Sequence, residues 1–359
     1  MVPKTVGFLD SPLVAGRTLT ERELNKALLA RQLLLEPATL PLPRAVERMG
    51  GIQAQYAPSA YVGLFSRVAG FERSQLTRAL QRRSVVQATL MRATIHIVSR
   101  ADFWPLAAAV REPTRDWWVR AAGRTGDPRR AEAAARSLRQ MLAAGPRTRA
   151  DLAVELGLDS ATWNGVGMYV DLVRVPPSGT WERRRADLYD LAENWLGPSS
   201  ISSEDGLRLL IRRYLGGFGP ASRKDIQSFT GLPMAILTPA IDQMHLRRFR
   251  DESGGELLDL PRAPLPDADT PAPVRFLGTW DATLLVHARR TQVLPERLRP
   301  LVFNTKTPHS VPTFLVDGQV AGSWRHDDKG LSWEAFEPLP AAARRAVESE
   351  ADRLAAFHS

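Results

Sequence analysis

The alternation of apolar and polar positions first becomes regular after Thr20. Leu24, Ala27, Leu28 and Leu35 recur at helical spacing, with Gln32 beside them, whereas residues 1–17 show no period and read as an irregular lead-in. Thr20 is followed three residues later by Glu23, the pattern in which each side chain caps the other's backbone N–H, so a helix is predicted to start at Glu21. Further helices are predicted over residues 41–49, ending at Gly50-Gly51, and over 75–82. The period then shifts towards two, and residues 85–91 and 93–98 read as paired strands. From 99 to 144 the pattern is helix-rich again.

A gapless internal repeat organises the middle of the chain. Residues 145–158 read GPRTRADLAVELGL, and 219–232, which lie 74 positions later, read GPASRKDIQSFTGL. Gly145/Gly219, Pro146/Pro220, Arg149/Arg223, Asp151/Asp225, Gly157/Gly231 and Leu158/Leu232 are identical pairs. Each copy reads as a Thr- or Ser-capped helix that stops at Gly-Leu. A second helix follows, over 160–171 or 233–244, and then a basic strand pair, LVRVPPSGTWERR or LRRFRDESGGELLDL. Helix, turn, helix and hairpin is the winged-helix order, in which the second helix can enter a groove while the wing touches the backbone. The same order also serves as a scaffold or protein-interaction module.

Beyond the repeats, the proline-rich stretch within 258–274 predicts an extended linker. Residues 311–316 and 319–324 flank Asp317-Gly318, a strong hairpin signal, and 331–336 adds a strand. Residues 340–357 close the chain as an amphipathic helix. The expected fold class is therefore α+β and mostly helical, with tandem winged-helix units followed by a small C-terminal β-barrel-like domain. The expected divisions are 18–144, 145–200, 201–262 and 270–359.

Charge bears on the choice of partner. The 359 residues carry 48 Lys+Arg against 39 Asp+Glu, a net charge of +9. Such an excess suits a polyanion, because each neutralised phosphate releases counterions. Arginine in place of lysine, together with abundant Ala and Pro, also follows from a GC-rich genome. Cysteine is absent, which excludes disulfides, thiolate nucleophiles and cysteine-ligated zinc or iron–sulfur sites. No apolar run has the length of a membrane span, and the N-terminus lacks a signal-peptide core, so a cytoplasmic, nucleoid-associated protein is expected. Oligomerisation has no signal in the sequence, and a monomer is expected.

The phosphate-binding glycine loop, the G-x-S-x-G elbow, the H-E-x-x-H pair and the EF-hand loop are all missing. His96, His245, His287, His309, His326 and His358 show no metal spacing, so neither a metal nor another cofactor is expected. Two short segments hold candidate chemistry. In GGIQAQY, Gln53 and Gln55 flank Ala54, and on extended chain alternate residues point the same way. The pair reads either as polar decoration at a helix end or as two amides that converge to hold a water. In MRATIHIV, Thr94 and His96 alternate with Ile95 and Ile97, which reads either as a half-buried strand with a polar face or as the wall of a site. Arg92 beside them suits a phosphate or plain solvation.

Gln53-Ala54-Gln55 and Thr94-Ile95-His96 resemble the Gln-apolar-Gln and Thr-apolar-His motifs of the AlkZ/YcaQ-like winged-helix DNA glycosylases, in the AlkZ-like form. Arg212-Arg213-Tyr214, Phe218-Gly219-Pro220, 272–277, Trp280-Asp281 and 314–318 resemble later blocks of that family in the same order, so the resemblance runs from about residue 18 to the last helix. Two stretches depart from it: 298–313, with Phe303-Asn304-Thr305-Lys306, and Gly278-Thr279-Trp280-Asp281.

The resemblance implies a monofunctional glycosylase acting on double-stranded DNA with an alkylated purine or an interstrand crosslink. A 7-alkylguanine is already cationic and leaves without prior protonation, so water positioning and stabilisation of an oxocarbenium-like transition state suffice. On that basis Gln53 and Gln55 are the expected catalytic residues, with Thr94 and His96 supporting the pocket. The expected backbone contacts are Arg92, Arg147, Arg149, Arg183, Arg184, Arg247 and Arg248. The rival readings are a non-catalytic winged-helix regulator and a self-resistance protein that sequesters the alkylating drug. Helices 160–171 and 233–244 offer only Asn164 and Gln243 as base readers, which disfavours a regulator that reads sequence.

Overall fold

The computed structural model describes residues 16–122, 127–285, 291–303 and 310–359. The expected block at 298–313 is therefore described only at its two ends, and His287, His309 and most of the 1–17 lead-in lie outside the described residues.

The chain opens with β1 (Thr18–Leu19), α1 (Glu21–Arg31) and α2 (Leu42–Arg48). The Thr20–Glu23 capping box forms as the spacing requires. Leu35, expected on the same helical face, lies past the helix, which stops at Arg31. A first strand–helix–helix–strand–strand unit follows: β2 (Ile52–Gln53), α3 (Ala57–Phe65), α4 (Arg73–Gln81), β3 (Val85–Thr89) and β4 (Ile95–Ser99). In it β2 and β3 both pair antiparallel with β4.

Helices α5 (Arg100–Ala122) and α6 (Pro128–Leu142) lead to a second unit of the same order. It comprises β5 (Arg147–Thr148), α7 (Arg149–Glu155), α8 (Ser160–Val166), β6 (Leu172–Arg174) and β7 (Leu188–Leu191). Here too the first strand pairs with the last and the last with the middle one. The middle strands β3 and β6 pair with each other, so both units share one six-stranded sheet, order β2-β4-β3-β6-β7-β5. The strand orders on either side of the β3/β6 seam mirror one another, as a pseudo-twofold requires.

After α9 (Ala192–Leu196) and α10 (Ser203–Phe218), the second sequence repeat builds a third copy from Ala221, α11 (Arg223–Thr230), α12 (Met234–Asp242), β8 (Arg247–Asp251) and β9 (Glu256–Asp259). Ala221 bridges Leu258 and β9 pairs with β8, so the pairing order recurs a third time. Strand β1 adds to β8 in parallel. The two repeat segments thus sit at equivalent places in two alike units.

Two expected boundaries move. The helix expected over 160–171 stops at Val166, where Gly165 lies so close to Trp118 that an added Cβ would come within 2.2 Å of the indole. The second strand of the middle hairpin is β7, beyond the expected 172–184 stretch. Pro176 and Pro177 have no N–H to donate to a ladder, and 175–187 runs as a long loop instead.

The largest core wraps α10. Leu210, Ile211, Tyr214 and Leu215 are fully buried, and Gly206 lets α10 meet the backbone of α5, since a Cβ there would sit 2.2 Å from the Pro105 carbonyl oxygen. Arg31 and Asp259, both fully buried, form a two-bonded pair at 2.7 and 3.0 Å that ties α1 to the third unit.

The C-terminal part is β-rich as expected. It comprises β10 (Arg275–Leu277), α13 (Ala282–Leu285), α14 (Arg299–Val302), β11 (Thr313–Val316), β12 (Gln319–Asp327), β13 (Gly330–Ala335) and α15 (Ala341–His358). Among the described residues it is an open four-stranded antiparallel sheet, order β10-β11-β12-β13, not a closed barrel. Val347, Ala351 and Leu354 of α15 pack with Phe276 and Phe314 of the sheet, so a helix rather than further strands buries this face. The Asp317-Gly318 turn has φ of 46° and 83°, which is why Asp-Gly serves there. Its tip docks on α1: Lys26 Nζ donates to Asp317 Oδ1 at 2.8 Å and Asn25 Nδ2 to the Gly318 carbonyl at 2.8 Å.

Candidate active site

The Gln-Ala-Gln segment is the first strand of the first unit and the entry to α3. Gln53 stands opposite His96 in the β2/β4 ladder, and the Ala54 N–H donates to the Ile95 carbonyl at 2.8 Å. Between β3 and β4 the chain reverses through Leu90–Thr94, where Arg92 and Ala93 both hold positive φ, 54° and 55°. This turn aims Arg92 back at the glutamines.

The oxygen of each amide already accepts a hydrogen bond within the protein. Gln53 is 6% exposed, and its Oε1 accepts from Arg92 Nη2 at 2.8 Å. Gln55 is exposed, and its Oε1 accepts the Ile95 N–H at 2.5 Å. A buried amide left unpaired is costly, so Gln53 takes the bond that Arg92 offers. Nor do the two side chains open on one space. Gln53 borders a void of about 20 Å³ against Gln32, Ser59 and Arg67, whereas Gln55 borders a cleft of about 610 Å³.

That cleft runs between α5, the first unit and the second unit. Trp117, Trp163, Asn164, Arg149 and Arg174 line it with Gln55. Trp117 is 57% exposed. The Arg149 guanidinium lies 5.7 Å from the Trp163 ring, and that of Arg174 lies 5.0 Å from Tyr189. Arg174 is nearly buried, donates to Thr89 Oγ1 at 3.1 Å and keeps an unpaired Nε; burial lowers its pKa. The tryptophans and Arg174 escaped the sequence reading. Their only signal was aromatic and basic residues at helix and strand positions, which core packing explains equally well.

His96 is buried, and burial, aided by nearby Arg92, pushes its pKa down to about 3. Its Nδ1 lies 3.0 Å from the Thr94 carbonyl, which can only accept, so Nδ1 carries the proton and Nε2 is left with a lone pair. The imidazole is neutral at physiological pH. Thr94 Oγ1 donates to the Met91 carbonyl at 3.0 Å and steadies the turn.

The expected DNA-contacting arginines are scattered and mostly paired. Arg92 is pinned by Gln53 and the Phe229 carbonyl, and burial lowers its pKa to about 10. Arg147 pairs with Glu155 and Arg183 with Asp187. Arg248 pairs with Glu256 across the β8/β9 hairpin. Arg247 is spent on buried Asp259 and the Leu260 and Ala263 carbonyls. Arg149 donates to Ser160, and exposed Arg184 donates to the Tyr56 hydroxyl. Arg149 lines the cleft beside Gln55 and Arg184 lines the cavity beside Tyr56, and among the described residues neither they nor Arg92 pairs with a carboxylate. Among the described residues no cluster of His, Asp and Glu could hold a metal ion. No described helix is long and apolar enough to cross a membrane.

A family profile described as "DNA glycosylase AlkZ-like" matches residues 46–357. The structure is similar to that of the Streptomyces sahachiroi DNA glycosylase AlkZ, with a TM-score of 0.78 and 21% identity over 95% of this chain and 97% of that one. The match in architecture, a mixed α+β fold with several sheets, is a likeness of fold. No curated protein matches the sequence.

Proposed function

The chain belongs to the AlkZ-like DNA glycosylase family, and on that premise we propose that it hydrolyses the N-glycosidic bond of cationic alkylated purines, of the 7-alkylguanine type, in duplex DNA. The observation that carries this reading is the exposed Gln55 amide at the wall of the 610 Å³ cleft, with its oxygen held by the Ile95 N–H. A carbonyl oxygen has two lone pairs. One takes the N–H, which fixes the amide; the other is left to accept a water proton. A water so held is positioned for the anomeric carbon, and the carbonyl dipole faces the positive charge that develops on the sugar.

Gln53 acts behind it. Its bond to Arg92 holds the 90–94 turn against β2, and that turn presents Ile95. Neutral, buried His96 braces the same turn through the Thr94 carbonyl and supplies no proton, which suits a leaving group already positively charged. An ordinary purine leaves too poorly for this apparatus, so selectivity comes from the leaving group itself. An open cleft also accepts a base still tethered to the opposite strand, which extends the proposal to crosslink unhooking by a monomer in the cytoplasm. The three strand–helix–helix–strand–strand units are read as tandem winged helices that together cradle the duplex, with Arg149 and Arg184 on its backbone.

The test is incubation with a duplex containing one 7-methylguanine. We expect release of the free base over several turnovers, leaving an intact abasic strand. A nicked strand would show a second, lyase activity. Retained binding without release would make the protein a non-catalytic DNA binder.

A further inference from the structure

A second cavity, of about 420 Å³, lies on the other side of the Gln55 loop and takes no part in the hydrolysis proposed above. Its walls are rings: Tyr56, Trp181, Trp324, His326 and His358, with the Arg184 guanidinium at one side. They come from the catalytic loop, the 175–187 loop, β12 and the end of α15, and Tyr56 follows Gln55 directly. The cavity therefore begins one residue from the amide that borders the cleft.

The rings are held as a set. Arg184 donates to the Tyr56 hydroxyl at 3.1 Å and lies 6.0 Å from the Trp181 ring. His358 meets Trp181 and Trp324 at centroid distances of 5.0 and 6.0 Å, and exposed His326 stacks on it at 4.2 Å. The buried His358 Nε2 has no hydrogen-bond partner. Burial, with His326, Arg73 and Arg184 nearby, lowers the His358 pKa to about 4, so that ring is neutral and adds no charge beside the Arg184 guanidinium.

The turn at 278–281 forms a further wall. Trp280 holds a φ of 64°, a left-handed conformation that a bulky side chain rarely adopts. The turn is clamped to α3: Ser59 Oγ and Thr279 Oγ1 are 2.7 Å apart, and buried Arg67 donates to Asp281 at 2.8 Å. A Cβ on Gly278 would lie 3.1 Å from Ser59 Cα. Strain of this kind persists where the surroundings over-determine it, and it concentrates at ligand clamps.

We propose that this cavity is a subsite for a planar aromatic ring next to the reacting nucleotide. The ring is either an aromatic substituent on the alkylated purine or a base displaced from the helix. The proposal rests on Gln55 lying at the reacting sugar. Stacking faces on several sides, an open mouth and a volume within the usual range for small-ligand sites suit a flat ring system better than a chain or an anion.

The experiment compares equilibrium affinities for duplexes carrying 7-methylguanine or 7-benzylguanine on a cleavage-resistant 2′-fluoro sugar, with 2-aminopurine opposite the lesion. The proteins are the full chain, His326→Ala and His326→Phe; position 326 is exposed, so neither substitution threatens folding. If the substituent occupies the cavity, the wild type binds the benzyl duplex about tenfold more tightly, the scale of one stacking contact. His326→Ala then erases the preference and His326→Phe keeps it. If a displaced base occupies the cavity, His326→Ala weakens both duplexes alike and removes the 2-aminopurine fluorescence change. If substitution at 326 moves neither the affinities nor the fluorescence, the proposal is overturned. Base release from an ordinary 7-methylguanine duplex, followed separately, reports on the glycosylase reading. Its failure leaves the affinity comparison intact.

Discussion

Gln53 carries the Arg92 guanidinium on its oxygen inside the protein, whereas Gln55 carries a backbone N–H at the edge of a cleft. The two glutamines therefore separate on substitution. Gln55→Ala removes an exposed side chain, and its stability change is expected to stay within about 0.5 kcal/mol. Its rate of base release is expected to fall roughly 10²–10³-fold, the loss typical of one preorganised polar group. Gln53→Ala leaves a largely buried guanidinium short of an acceptor and is expected to cost about 1–3 kcal/mol of stability as well as activity. Urea denaturation and single-turnover release distinguish the two. Unchanged turnover in Gln55→Ala would remove the amide from the mechanism.

Among the elements, the crossing of α5 and α10 decides how the units sit around the cleft, because α5 supplies Trp117 and α10 anchors the third unit. Glycine within a helix ordinarily destabilises it relative to alanine by up to about 1 kcal/mol. At Gly206 the sign is expected to reverse. A Cβ there meets the Pro105 carbonyl oxygen at 2.2 Å and the Ala109 nitrogen at 3.1 Å, both backbone atoms that cannot swing aside. Gly206→Ala is expected to lower the unfolding free energy by about 1–3 kcal/mol, the usual cost of overpacking. A denaturation midpoint at or above the wild-type value would mean that the two helices are not so closely packed in solution. The turn between β3 and β4 matters in the same way, since its two positive-φ residues bring Arg92 over the glutamine strand.

Across the whole molecule, charge and buried histidine govern the response to salt and pH. Most of the candidate arginines are paired with carboxylates, but exposed pairs are worth only about 0–1 kcal/mol each, so phosphate can displace the carboxylates. Even two phosphate contacts give about a tenfold loss of duplex affinity between 50 and 200 mM salt. At least that loss is expected in fluorescence anisotropy with undamaged DNA, and a flat salt profile would argue against a DNA cradle. For pH, the folded pKa of His96 is depressed to about 3 and that of His358 to about 4, both below the ordinary 6.5. Below about pH 6.5 the unfolded chain binds protons that the folded chain refuses. Stability is thus full above pH 7 and declines as pH falls towards those folded values, with His96 contributing up to about 1.4 kcal/mol per pH unit. Thermal melts between pH 7 and 5 should show the decline. Nitrogen-detected NMR at pH 6 should show His96 neutral with its proton on Nδ1; a charged ring would undo the assignment.

Local signals settled local structure. The Thr20–Glu23 box, the Asp317-Gly318 turn and the paired repeat at 145–158 and 219–232 each act over a few residues, through backbone hydrogen bonds or turn geometry, and each appears where the pattern put it. Helices α3 and α10 were not read from the pattern. Helix α3, buried along nearly its whole length, lacks a polar face to mark it, whereas α10 went unread although its buried residues Leu207, Leu210, Ile211, Tyr214, Leu215 and Phe218 keep helical spacing behind the Ser202 cap. Which residues share a site was decided by tertiary structure alone. The pairing of β3 with β6, the close approach of α5 to α10 and the turn at 278–281 join segments far apart in the chain, and spacing along the chain holds no record of such contacts. For the same reason the sequence could single out Gln53 and Gln55, but only the fold could turn one towards Arg92 and the other towards the cleft.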